Sequence, residues 1–135
     1  MQKGLRTLLL AQSSITNVVG AAGVYSQRAP QNASPPFIVL HKMSTEENKT
    51  LTGVTGSTRF MDFDIDCKAT RYGLVQDLAI IVRDFIKDYT GTAGGETISA
   101  VLLNGEAEDY EPPSDGSDIG LHVVTVDASI QWVPA

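Results

Sequence analysis

Thr58–Tyr89 reads TRFMDFDIDCKATRYGLVQDLAIIVRDFIKDY, and this stretch decides the fold class. In its first third the odd positions Met61, Phe63, Ile65, Cys67 and Ala69 are apolar, while Asp62, Asp64, Asp66 and Lys68 fill the even ones. A period of two marks a strand with one buried and one wet face. From Leu74 the period changes. Leu74, Leu78, Ile81, Val82, Phe85, Ile86 and Tyr89 fall on one stripe of a helix running from about Arg71 to Tyr89. A long strand that feeds a helix able to pack back on the same sheet is a scaffold of an α+β domain. It carries no catalytic signature.

Outward from this centre the chain supplies the rest of a small domain. Gln2–Gln12 reads as a helix with Leu5, Leu8 and Leu9 on one side, and Ser14 is placed to cap a further turn through Val19. Val24-Tyr25 begins a short strand, and Gln27–Pro36, with three prolines, is an extended connection. Phe37–His41 is a compact apolar strand. Ser44–Ser57 is polar and long, and loops of that size tend to carry function; Glu46, Glu47 and Lys49 are its charged candidates for an assembly contact. Thr90–Glu96, with three glycines, stops the helix and reads as a loop. A strand follows from Ile98 to about Tyr110, with Asn104-Gly105 either a turn or a bulge. After the polar loop Glu111–Gly120, Leu121–Val133 closes the chain as a strand with Val124, Val126, Ala128, Ile130 and Trp132 on one face. The expected architecture is α+β: an antiparallel sheet of about four strands with helices packed on one face.

Length and composition narrow the function classes. The 135 residues fit one domain, 1–135, large enough to bury roughly two-thirds of its unfolded surface. The formal charge is −6 and the ten Lys and Arg residues are scattered, which argues against a protein that grips nucleic acid by neutralising phosphates. No apolar run is long enough to span a bilayer, and no secretory leader is visible. Cys67 is the sole cysteine and lies on the apolar face of its strand, so it reads as a buried structural thiol.

Sites of chemistry are not evident. His41 and His122 fall on strands without a metal-ligand spacing. Thr90–Gly95 follows a helix and precedes a strand, the reverse of a phosphate-binding loop. Asn32-Ala33-Ser34 and Asn48-Lys49-Thr50 match the glycosylation pattern by chance. Asp62, Asp64 and Asp66 stand ~7 Å apart along one strand face at a rise of about 3.3 Å per residue, too far to share one ion tightly. A solvated face, a contact to basic residues of a neighbouring subunit, and an acidic channel lining all remain open for them. Arg71 and Arg83 are the basic candidates for such a subunit contact. No catalytic, cofactor-binding or metal residues are expected.

The order of landmarks carries a family resemblance. An N-terminal helix leads to a Val-Tyr strand start; the Pro-rich segment Ala29–Pro36 leads into Phe37-Ile38-Val39; Phe63-Asp64-Ile65-Asp66-Cys67-Lys68-Ala69 runs into a helix near Tyr72; and the chain closes on His122–Trp132. This pattern, over nearly the whole chain, resembles the tail-completion, or tail-to-head joining, proteins of long-tailed bacteriophages. The resemblance implies a tail terminator, a structural virion protein rather than an enzyme. It would form a ring, typically a hexamer, on the tail tube, end tube growth and face the head connector. It implies as partners further copies of itself, the tube protein and the connector. DNA would only pass through the lumen, with no membrane and no cofactor. The place implied is the head–tail interface of the virion, after assembly in the host cytoplasm. Another head-completion or neck protein, or a small α+β module binding a peptide or small molecule, are the competing readings.

Overall fold

The computed structural model describes residues 2–30, 33–47, 59–87, 89–93, 95–113 and 120–133. In chain order they form α1 (Gln2–Leu10), α2 (Ser13–Val19), β1 (Val24–Ser26), β2 (Phe37–Glu47), β3 (Arg59–Ala69), α3 (Tyr72–Ile86), β4 (Gly91–Ala93), β5 (Glu96–Glu111) and β6 (Leu121–Val133). The six strands make one sheet in the order β1-β2-β3-β6-β5-β4. The expected four strands are therefore six, and the sheet is mixed. β1 pairs with β2 in parallel, and every other pairing is antiparallel.

The alternation of β3 holds over its whole length. Met61, Phe63, Ile65, Cys67 and Ala69 are buried, and the residues between them are half-buried. Each buried residue stands beside one from β6: Met61 by Ile130, Phe63 by Ala128, Ile65 by Val126, Cys67 by Val124. α3 lies over this surface with Val75, Leu78, Ala79, Val82 and Ile86 buried. The buried line is thus rotated slightly from the expected stripe, with Leu74, Ile81 and Phe85 packed at its margins. No side chain caps the N-terminus of α3, so packing holds the helix; each large apolar side chain it buries contributes about 1.5–3 kcal/mol. One apolar cluster joins residues of all three helices to the sheet, with Leu5 and Leu9 from α1 and Ile15 from α2. Arg6 Nε donates to the Val24 carbonyl at 2.7 Å and ties α1 to β1.

Three boundaries differ from the expectations, and one open choice is resolved. The first helix is divided at Gln12, which precedes α2 in place of Ser14 as the N-cap residue. β2 continues through Ser44–Glu47, where a loop was expected; Glu46 stands beside Phe60 and Glu47 beside Arg59. The polar residue types of Ser44–Glu47 hid it. Lys49 and the rest of the expected loop lie outside the described residues. The Gly-rich segment after α3 is not all loop: Gly91–Ala93 is a strand that returns at once into β5, with Ala93 beside Glu96 and Gly95 at a φ of 85° in the turn. β5 runs unbroken through Asn104-Gly105, where the register shifts between Leu103 and Gly105. That is a bulge, not a turn.

Candidate functional site

The polar face of the sheet is a row of side chains held by their neighbours. Thr125 Oγ1 donates to Asp66 Oδ1 at 2.7 Å, and Ser129 Oγ donates to Asp62 Oδ1. Asn104 Nδ2, on the bulge of β5, donates in turn to Ser129 Oγ at 2.8 Å. His41 Nε2 lies 3.1 Å from Asp66 Oδ2. Two of the three aspartates are therefore anchored across β6, because the register sets a hydroxyl beside each.

Asp64 is different. Its cross-strand neighbours are His41 on β2 and Asp127 on β6. Burial, then the charges of Asp127 and Asp66, hold its carboxyl above the ordinary value of 3.8; His41 opposes the shift and Asp62 adds to it. Native Asp64 therefore keeps its proton to a higher pH than the unfolded chain does. Stability is lost as pH rises from 3.8 through the native value. Asp64→Asn is expected to raise stability at pH 7 by ~0.2–1 kcal/mol, the range for a like-charged cross-strand pair, and to change little at pH 3. Urea unfolding at both pH values checks this; a gain equal at both would refute it.

A second polar zone lies beside α3. The β5 bulge brings Glu106 and Glu108 beside Val126 and Val124, on the face that Val101 and Leu103 occupy before it. Arg83 Nη1 meets Glu106 Oε1 at 2.7 Å. Tyr72 Oη donates to Glu108 Oε2 at 2.6 Å, and this bond holds the phenol above its ordinary pKa. The ring of His122 sits between those of Tyr72 and Tyr110, at 5.6 and 5.0 Å. On the opposite face Lys68 Nζ reaches Glu111 Oε1 at 2.6 Å.

The expected site residues are thus dispersed. Asp62, Asp64 and Asp66 share one face; Arg71 is exposed just ahead of α3; Arg83 is engaged by Glu106 within the same chain. Glu106 and Glu108 were not singled out from sequence, since only the bulge places them near α3. Cys67 is buried, and burial pushes its thiol far above the ordinary range. Among the described residues no group of three or more His, Cys, Asp or Glu is placed to hold a metal ion, and no helix is long and apolar enough to cross a membrane. The arrangement offers hydrogen-bonded surfaces and charge.

Comparison with known proteins places these surfaces in context. The family model for tail completion protein gp17 matches residues 3–130. No curated protein matches the chain in sequence. A chain from the virion of a native gene transfer agent particle has a similar fold, with a TM-score of 0.66 at 13% identity, over 91% of this chain and 87% of that one.

Proposed function

This chain belongs to the tail completion protein gp17 family, and from that premise we propose that it caps the tail tube as a ring, ends tube growth and joins the tail to the head connector. A phage tail structural protein is what the family supplies; ring, cap and joint are the proposal. The match across 3–130 carries it, because those residues include all of the helices but the first residue of α1, and all but the last residues of β6.

In this reading the ring is hexameric and the chain contributes one domain. The helices share one face of the sheet, which their common apolar cluster supports. The opposite face, with Asp62, Asp64 and Asp66, turns toward a neighbouring subunit, whose exposed Arg71 offers the complementary charge. A heterologous contact of this kind closes by rotation. DNA passes through the lumen without being gripped, consistent with a net charge of −6. The protein works in the virion at the head–tail interface after assembly in the host cytoplasm, and it performs no chemistry.

Tail tubes assembled with and without the protein test this. With it, negative-stain images show tubes of uniform length ending in a ring that an antibody to this chain labels. Without it, tubes overrun. Uniform tubes in its absence, or label confined to separated heads, would move the protein to a head-completion role.

A further inference from the structure

Four large apolar side chains stand exposed among the described residues, two on α3 and two on β5. Tyr72 and Ile80, each 45% exposed, lie on α3; Leu102 at 65% and Tyr110 at 47% lie on β5. Between them runs the outer edge of β5. β4 pairs with it only over Glu96–Ile98, so from Ser99 to Glu111 the strand has no outer partner among the described residues. Such an edge presents backbone N–H and C=O groups to any strand that lies down beside it. The Tyr110 N–H takes the carboxylate of its own neighbour Asp109, at 2.8 Å, as acceptor. α3 rests mainly on β3 and β6. A groove of about 250 Å³ therefore stays open between helix and β5, lined by Gln76, Ile80, Arg83, Glu106 and Glu108 among others.

We propose that this edge binds an extended segment of a partner protein as an added strand, with lysine or arginine at alternate positions. The charge around the edge selects the occupant. On the groove side Asp77, Glu106 and Glu108 are met by one cation, Arg83, which leaves two negative charges unmatched there; Asp109 and Glu111 lie on the other face of the strand, where Lys68 holds Glu111. Residues two apart on a strand share a face ~7 Å apart, at about 3.3 Å per residue. Basic side chains at alternate positions of an added strand therefore match Glu106 and Glu108 on the groove side. The apolar side chains between them lie on the opposite face, beside Leu102. Main-chain bonds supply affinity, and the groove beneath α3 supplies selection. A second copy of this chain, with its formal net charge of −6, suits an acidic edge less well. The proposal does not rest on tail capping.

The test uses the full chain and a blocked nine-residue peptide of alternating lysine and valine, followed by fluorescence anisotropy. Binding is expected to saturate and to slow hydrogen exchange in Asn104–Glu111. Methylating alternate backbone amides of the peptide is expected to abolish binding. Glu106→Gln with Glu108→Gln is expected to weaken it about tenfold, from two lost cross-strand charge pairs. Both sites are exposed, and circular dichroism verifies that the variant is folded. Equal binding of the methylated peptide, binding without protection of Asn104–Glu111, or no saturation at millimolar peptide would each overturn the proposal. So would self-association of the protein that the double variant abolishes, because the edge would then belong to a second copy.

Discussion

Phe63→Ala is expected to cost about 3–5 kcal/mol, the range for emptying an aromatic site in a closed core. Phe63 is fully buried at the centre of β3, the strand flanked by β2 and β6. Its neighbour on β6 is Ala128, whose lone methyl group cannot swing into the vacated space. Strands on both sides fix the backbone, so the cavity stays open. With total stabilities of about 5–15 kcal/mol in natural domains, the variant should be partly unfolded at 37 °C. Denaturant unfolding monitored by circular dichroism measures the loss. A cost below about 1 kcal/mol would mean that the odd residues of β3 do not face the core.

Gly23→Ala is the second large effect. Gly23 is buried between α2 and β1, and its carbonyl accepts the Ile38 N–H at 2.8 Å to start the parallel pairing of β1 with β2. A Cβ on Gly23 would lie 2.0 Å from the Val19 carbonyl oxygen. That oxygen belongs to the last residue of a helix, so relief requires α2 or β1 to move. The expected cost is about 2–4 kcal/mol, at or above the usual range for overpacking. Gly73→Ala provides the contrast. Gly73 is exposed near the start of α3, and a Cβ there meets nothing within 4 Å. Alanine should stabilise that helix by ~0.5–1 kcal/mol. Thermal melts of the two variants should move in opposite directions; a Gly23→Ala protein as stable as the parent would refute the close approach.

Legibility in the sequence followed how local the cause was. β3, α3 and β6 could be read because each carries its own hydrophobic period, and the bounds of β6 agree with the reading to the residue. The last residues of β2 and all of β4 could not. Ser44–Glu47 are polar, Gly91–Ala93 are small, and both stretches are strands because a neighbouring strand meets their backbone. Asp62, Asp64 and Asp66 were visible as a row, but the distinction among them was not. Which aspartate meets Ser129, Asp127 or Thr125 depends on the register between β3 and β6, and those residues lie about sixty positions apart in the chain. The engagement of Arg83 by Glu106 was hidden for a similar reason. Helix and strand meet there only after the chain has folded, and only because the bulge selects which residues of β5 face α3.

In terms of the gene, that bulge is one codon. Loss of the Asn104 codon would keep the reading frame and every other amino acid. Gly105 alone would then stand opposite Asp127, and the strand would pass from Leu103 to Glu106 as a regular ladder, with Glu106 and Glu108 still on the helix side. The extra codon is what lets the odd-numbered Val101 and Leu103 share a face with the even-numbered Glu106 and Glu108. A single in-frame deletion would thus bring both halves of the strand into one period and leave the acidic groove beside α3 in place.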